Sequence, residues 1–203
     1  TARLLGVGFF IAVVPLLWTY FKNRGANVHR KMRSLVVLTL FLTFDLVLFG
    51  SFTRLTDSGL GCPDWPGCYG HASPIGADAH IDAAVAVMPT GPVTHNKAWI
   101  EMIHRYLAMS VGFLILVLAF SSTWQKFKGL LTTDDTWQVR PAWAWLTLFW
   151  VCMQGAFGAL TVTMKLFPAI VTLHLLGGIG LLVLLSYQVA WVPTAQRELV
   201  SVR

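Results

Sequence analysis

The chain of 203 residues is 56% hydrophobic and only 12% charged, and its mean hydropathy is +0.65. Soluble domains carry roughly 25% charged residues, so this composition excludes a water-soluble globular domain and predicts an integral membrane protein. The formal charge of +6 does not indicate a nucleic-acid partner, because the Lys and Arg residues lie between apolar stretches and form no single basic face.

Five stretches with few or no charged residues are long enough to cross a bilayer, for which a helix needs roughly 20 residues. The predicted spans are Leu4–Phe21, Ser34–Phe52, Tyr106–Trp124, Pro141–Met164 and Leu166–Val192. The third helix is expected to begin earlier, near Ala98. The first span contains no candidate ligand and is predicted to be an additional N-terminal anchor. Asp45, within the second span, has no obvious cationic partner, and we assign it no role.

Basic residues in the short loops predict the orientation, because Lys and Arg accumulate on the cytoplasmic side of a membrane. They occur in the linker from Lys22 to Arg33 and in the segment after Trp124. The N-terminus and the loop 54–97 are therefore predicted to lie in the periplasm of a bacterial inner membrane, and the C-terminus in the cytoplasm. The predicted units are an anchor and linker (1–33), a helical bundle (34–192) and a cytoplasmic tail (193–203).

The outer loop contains Cys62 and Cys68 in the sequence Cys-Pro-Asp-Trp-Pro-Gly-Cys. Two cysteines this close in a proline-bearing loop, in an oxidising compartment, predict a disulfide. A zinc site would need four ligands, and among the loop histidines only His71 is near in sequence, so zinc is disfavoured. Cys152, in the fourth span, has no partner in reach and is predicted to be a small buried apolar residue.

The same loop carries a periodic apolar pattern further along. Ile81, Ala84, Val85 and Met88 recur at helical spacing. This spacing predicts a short amphipathic helix that lies on the outer face of the membrane.

The ends of the second and fourth spans share the pattern Gly-small-Phe-x-x-Leu-Thr, at Gly50–Thr56 and Gly155–Thr161. In both copies the pattern ends a helix that runs outward, and the next helix returns inward with a histidine near its outer end. We therefore predict a four-helix bundle made of two repeated hairpins, which are related by a pseudo-twofold axis along the membrane normal.

The two histidines, His104 and His174, lie six residues past Ala98 and Pro168. At about 1.5 Å per residue, both are expected about 9 Å below the outer surface. Two imidazoles at one depth in a bundle are suited to bind a haem iron from its two faces, which predicts a haem-binding bundle. A copper or zinc site would need three or four protein ligands, and no third ligand accompanies these two histidines. Alternatively, each histidine hydrogen-bonds a neighbouring helix, although ionisable side chains inside a membrane are costly and usually functional.

Three charged residues are predicted near this site. Glu101 precedes His104 by three residues and shares its helix face, where it either acts on the bound group or pairs with Arg105. Arg54 and Arg105 lie at the outer boundary, where they either bind the haem propionates or extend to lipid phosphates. Five glycines in the last two spans permit close approach of a helix or of a flat macrocycle: Gly155, Gly158, Gly177, Gly178 and Gly180.

Taken together, these motifs resemble those of one family, haem A synthase, the membrane enzyme that oxidises haem o to haem a for terminal oxidases. The resemblance covers roughly Phe49 to Leu184. It rests on four segments, namely 53–66, 101–105, 154–162 and 171–175. The loop, the Glu-x-x-His-Arg element and the second histidine occur in the order typical of that family.

This resemblance implies that His104 and His174 ligate the substrate haem o and that Glu101, together with His104, is catalytic. It also implies a disulfide between Cys62 and Cys68. The reaction implied is the oxidation of a porphyrin methyl group through a hydroxymethyl to a formyl group. Glu101 is expected to accept protons or to stabilise cationic character as electrons leave.

Members of that family carry a second four-helix half with a histidine pair assigned to haem b. Because this sequence ends after one half, we expect the second half to lie in a longer chain, in another chain or in a second copy. The other expected partners are the lipid bilayer and a farnesyltransferase that produces haem o.

Two other functions fit parts of the sequence. A cytochrome b-type electron-transfer subunit would also bind haem between two histidines, and the role of Glu101 distinguishes it from an enzyme. A membrane thiol oxidase that uses quinone would need at least two cysteine pairs, whereas only Cys62 and Cys68 are available.

Overall fold

A computed structural model describes residues 2–129 and 139–190 of the chain. Its helices are α1 (Ala2–Lys22), α2 (Val28–Leu55), α3 (Asp78–Val87), α4 (His95–Phe127), α5 (Pro141–Thr163) and α6 (Pro168–Ala190). All except α3 are long and apolar enough to cross a membrane. Within the described residues the fold is helical throughout, apart from one isolated β-bridge in the outer loop. The prediction of a multi-pass, all-α membrane protein is therefore confirmed.

Two helices begin earlier than the sequence predicts. The second begins at Val28 and not at Ser34, and Asn27 caps it by accepting a hydrogen bond from the Arg30 N–H at 2.9 Å. Arg30, Lys31 and Arg33 of the expected linker thus lie in the first turns of α2, because a helix can continue beyond the hydrocarbon core into the polar region, where charge is tolerated. The fourth helix begins at His95, before Ala98. The end of the last predicted span and the tail 193–203 lie outside the described residues.

Four of the long helices contact one another in a closed order. Helix α2 packs on α4 and α6, and α5 packs on the same two helices. Both predicted hairpins, α2 with α4 and α5 with α6, are therefore packed pairs. No extensive contact joins α4 to α6 in the described residues, so these two helices occupy opposite positions in the group.

The first helix packs along the outside of α4. The Oγ of Ser110 donates a hydrogen bond to the carbonyl of Gly8 at 2.9 Å, and the rings of Phe9 and Phe113 lie 4.9 Å apart between centroids. A methyl group on Gly8 would lie 2.6 Å from the Cβ of Met109, so only glycine permits this approach. The predicted anchor is thus attached to the other helices along its own length.

Two apolar clusters stabilise this arrangement. One contains side chains from all five long helices, with Val36, Leu114 and Leu185 fully buried. The other joins the outer loop to α4 and includes the loop cysteines, Ile81 and Met102. The outer loop is therefore packed on the end of α4.

The short helix predicted in the outer loop is α3, but its apolar stripe has a different partner. Ile81 is fully buried in the cluster beneath the loop, and Val85 packs against the same cluster. Met88 follows the end of the helix and is exposed. The expectation that the stripe faces lipid is wrong for Ile81 and Val85, because the outer end of α4 offers an apolar surface that the spacing pattern alone does not reveal.

The prediction for Cys152 is also wrong, because this residue is exposed on the surface of α5. Apolar residues occupy every face of a helix that contacts lipid on one side and protein on the other, so hydrophobicity does not distinguish the two sides.

Candidate functional site

The two loop cysteines form a disulfide, in agreement with the sequence-based prediction, and both are fully buried. Cys68 and His71 exchange backbone hydrogen bonds of 2.9 Å and so close a tight turn. The carboxylate of Asp64 accepts hydrogen bonds from the N–H groups of Tyr69 at 2.6 Å and Gly70 at 2.7 Å. Contacts within the loop itself, both covalent and polar, therefore stabilise its conformation.

The loop lies directly against the first turns of α4. A methyl group on Gly61 would overlap the backbone of Lys97 and Ala98, so only glycine permits this close approach. The hydroxyl of Tyr106 donates a hydrogen bond of 2.6 Å to the carbonyl of Ala72. The loop and the outer end of α4 thus form one packed unit.

Arg105 connects this loop to α4. Its Nη1 donates hydrogen bonds to the carbonyls of Asp64 at 2.9 Å, of Pro66 at 3.3 Å and of Gly67. Its Nη2 pairs with the carboxylate of Glu101, four residues earlier on the same helix. The side chain is only 9% exposed. A planar, permanently charged group with several donors is suited to such a multiple contact.

Glu101 is fixed by two partners on different elements. Oε1 accepts a hydrogen bond from Arg105, and Oε2 accepts one of 2.8 Å from the backbone N–H of Cys62. The side chain is 5% exposed. The ion pair with Arg105, which the sequence left as an alternative, is thus formed. The carboxylate is held between α4 and the disulfide-bonded part of the loop.

His104 lies one helical turn after Glu101, on α4. Its ring is parallel to that of Phe49 within 10°, at a centroid distance of 6.4 Å. A methyl group on Gly50 would lie 2.8 Å from Cε1, so the glycine of the repeated motif makes space for the imidazole. The Nδ1 atom is buried and has no hydrogen-bond partner among the described residues.

His174 lies on α6, the helix opposite α4. Gly158 of α5 faces its ring, and a methyl group there would lie 3.6 Å from Cε1. The Nδ1 of His174 is also buried and has no partner among the described residues. The sequence motif aligns Gly50 with Gly155, whereas the glycine that faces His174 is Gly158, one turn further along.

This donor set fits a haem iron. Buried polar atoms without partners are rare in proteins, and among the described residues they include one nitrogen of each of two imidazoles on opposite helices. A haem iron takes one nitrogen from each face, and bundle interiors are where such groups bind. Among the described residues, no three His, Cys, Asp or Glu side chains lie close enough together to hold a metal ion by themselves.

The two arginines predicted to bind propionates differ in environment. Arg54 is exposed at the outer end of α2, and its role stays a prediction. Arg105 is buried, and Nη1 and Nη2 are occupied by the loop carbonyls and Glu101. These contacts hold the loop and the carboxylate together, and the binding of a propionate by Arg105 stays a prediction.

Sequence reasoning gave no role to one further polar residue near the histidines, Gln154 of α5. It is 9% exposed, and its Oε1 has no partner among the described residues. The signal that could have revealed it is an amide within an otherwise apolar span, because such groups are costly in a membrane unless they are bonded.

The amino-acid sequence of the chain is similar to those of known proteins. A sequence model of the COX15-CtaA family, described as cytochrome oxidase assembly protein, matches residues 33–202. A "Heme A synthase" of Shewanella oneidensis is 41% identical over 167 residues, which are 82% of this chain and 47% of that protein. A "Heme A synthase" of Alkalihalophilus pseudofirmus is 26% identical over 168 residues, 79% of this chain and 48% of that protein.

The chain spans about half the length of these curated relatives. No solved structure is significantly similar to it. The family match begins after α1 and includes the outer loop, Glu101 and both histidines. The chain therefore belongs to the COX15-CtaA family of cytochrome oxidase assembly proteins.

Proposed function

We propose that this chain is the substrate-binding half of a haem A synthase, which binds haem o between His104 and His174 and oxidises one of its methyl groups to a formyl group. The names of the curated relatives support this activity. The observation that carries the proposal is a pair of imidazoles on opposite helices, each with a buried Nδ1 that has no partner among the described residues, and a buried carboxylate one turn from one of them.

In this proposal, α2, α4, α5 and α6 form the haem-binding bundle and the histidines fix the porphyrin. Each imidazole supplies one ring nitrogen to the iron, and Gly50 and Gly158 leave space for the rings. Fixing the porphyrin at two points orients its edge methyl groups relative to α4. Positioning of this kind is itself a large part of catalysis.

Glu101 is the proposed catalytic carboxylate. Its two oxygens each accept one hydrogen bond from the protein, and a carboxylate oxygen has two lone pairs, so both keep an acceptor position. The carboxylate can therefore accept a proton as the methyl carbon is oxidised, or stabilise positive charge that develops there. Each of the two successive oxidations removes two electrons and two protons, and water supplies the oxygen atom that the first oxidation adds.

The electrons must pass to an acceptor outside the residues of this site. Haem b, bound by a second four-helix half, is the acceptor that the family resemblance implies. We propose that this half is supplied by further chain, by another chain or by a second copy, with the loop 54–97 in the periplasm. A farnesyltransferase that makes haem o is the proposed source of the substrate.

A cytochrome b-type electron-transfer subunit is the alternative function, since two histidines bind haem equally well without chemistry on the porphyrin. The fixing of Glu101 by Arg105 and by the Cys62 N–H favours the enzyme. A carrier of electrons has no need of a buried carboxylate that is oriented from two elements.

The test is to express the chain in cells that make haem o but lack their own haem A synthase. The bound haem is then extracted and identified by mass spectrometry. Haem a, or the hydroxymethyl intermediate, would support the enzyme. Bound haem without any oxidised product, even with the second half supplied, would support the cytochrome. A colourless protein that takes up no added haem would reject both functions.

A further inference from the structure

Gln154 carries a buried amide close to the helix turn that holds His174. It lies on α5 with 9% exposure, inside a helix that crosses the membrane, and its Oε1 accepts no hydrogen bond from the described residues. An unpaired polar atom is especially costly where neither water nor lipid headgroups can reach it. The Oε1 of Gln154 is therefore expected to accept a hydrogen bond from a donor outside the described residues.

The surroundings of Gln154 connect it to the histidine site. Gly158, one turn further along α5, faces His174, and the amide itself rests against Gly177 of α6, three residues after that histidine. A methyl group on Gly177 would overlap the amide, so the glycine keeps space for it.

Gln154 lies further from the outer loop than the histidine does. It precedes the end of α5 at Thr163 by nine residues, whereas His174 follows the start of α6 at Pro168 by six. At about 1.5 Å per residue, the amide lies about 5 Å further inward than the imidazole. Glu101 lies one turn outward of His104. The carboxylate and the amide therefore flank the histidine level from opposite sides.

Two comparisons within the chain distinguish this amide from a packing residue. Gln188, deeper in the same pair of helices, is held through its Nε2, which donates a hydrogen bond of 2.8 Å to the Oγ1 of Thr147. In the repeated motif the position of Gln154 corresponds to Phe49, which stacks against His104. The second hairpin thus has a hydrogen-bonding group where the first has an aromatic ring.

We propose that Gln154 binds the hydroxyl group of the hydroxyethylfarnesyl chain of haem o, and so selects haem o over haem b. This inference rests on the proposed function. Haem b has a vinyl group in place of that chain, and the chain is attached to the half of the porphyrin ring remote from the propionates. With the propionates outward, the hydroxyl lies on the inward side, where Gln154 is. An amide both donates to and accepts from a hydroxyl, and so satisfies its own Oε1.

The test compares two haems and two proteins. The purified full chain and its Gln154→Met variant are titrated with haem o and with haem b, and the dissociation constants are read from absorption. Methionine has nearly the same volume as glutamine and cannot replace the hydrogen bonds. We expect the variant to bind haem o about fivefold more weakly, the value of one hydrogen bond, and haem b within about twofold of the original chain.

The outcomes separate the two proposals. If the unmodified chain binds neither haem, the proposed function fails. If it binds both, and Gln154→Met weakens neither or weakens both equally, the proposed function stands and the assignment of Gln154 is overturned in favour of a packing role. A Gln188→Met variant is the matched control, because it removes an amide that already has a protein partner, and it should not alter the ratio of the two affinities.

Discussion

Arg105 and Glu101 form a buried ion pair one helical turn apart on α4, and the same guanidinium group binds three carbonyls of the outer loop. The backbone of Cys62 completes the arrangement by donating to the other carboxylate oxygen. The candidate catalytic carboxylate is therefore positioned by the loop as well as by its own helix. A substitution that changes the conformation of the loop should therefore also change the position of the Glu101 carboxylate.

Replacing Arg105 with methionine should destabilise the protein strongly. Removing one partner of a buried ion pair leaves an uncompensated charge, at a cost of about 3 to 5 kcal/mol. Thermal unfolding in detergent should report this loss, and limited proteolysis should cut the outer loop faster. The Arg54→Met variant is the control, because Arg54 is exposed and its loss should change the stability by less than about 0.5 kcal/mol.

The double variant Arg105→Met with Glu101→Gln tests whether the ion pair itself causes that loss. Since the glutamine carries no charge, the double variant should be more stable than Arg105→Met alone, with a coupling of about 0.5 to 3 kcal/mol. Additive effects of the two substitutions would show that the two side chains act independently.

Glu101→Gln alone should separate haem binding from chemistry. The amide keeps the shape and one acceptor oxygen, so haem should still bind, but the group can no longer take up a proton. General acid–base groups contribute about 10²- to 10⁴-fold, so formation of haem a should fall by at least about 100-fold. Mass analysis of extracted haem measures this. Asp57→Asn, an exposed carboxylate on the same side, should leave the product unchanged, and undiminished haem a from Glu101→Gln would reject the assignment.

Alanine substitutions at the two glycines beside the histidines should have unequal effects. The added methyl at Gly50 would lie 2.8 Å from His104, whereas at Gly158 it would lie 3.6 Å from His174, an ordinary contact. Gly50→Ala should displace the imidazole and weaken haem binding by roughly 1 to 3 kcal/mol, the usual cost of overpacking. Gly158→Ala should bind haem nearly as well as the original chain. Equal affinities of both variants in a spectral titration would contradict the close approach of His104 to Gly50.

The number of cysteines that an alkylating reagent labels should depend on whether the disulfide has been reduced. Of the three cysteines, only Cys152 is free in the structure. Alkylation of the denatured protein without reductant should therefore add one label, and prior reduction should raise the number to three, as read by intact mass. Replacing Cys62 and Cys68 with alanine should lower the stability of the loop by about 2 kcal/mol through the entropy of the open chain. Three labels without reductant would show that the disulfide is absent from the purified protein.

Much of the fold follows from the sequence because the bilayer imposes a length and a composition on each span. The uncharged stretches predicted all five long helices, and the spacing of Cys62 and Cys68 in a proline-bearing loop predicted the disulfide. The positions of Glu101 and His104 on one helix face follow from helical geometry alone.

The contacts between elements could not be predicted in the same way. Apolar side chains cover every face of a membrane helix, so the sequence did not show that Cys152 is exposed or that α1 packs on α4. The loop carbonyls that bind Arg105 are backbone atoms, which carry no sequence signal of their own. The hydrogen bonds of Arg105 therefore become apparent only when the loop is seen packed against α4.

The most direct measurement is the spectrum of the haem-loaded chain and of its His104→Ala and His174→Ala variants. We predict a low-spin iron with two imidazole ligands in the unmodified protein, recorded by optical absorption and electron paramagnetic resonance, and loss of that signature in each variant. A low-spin spectrum with two imidazole ligands that persists in either variant would contradict the assignment of the two histidines.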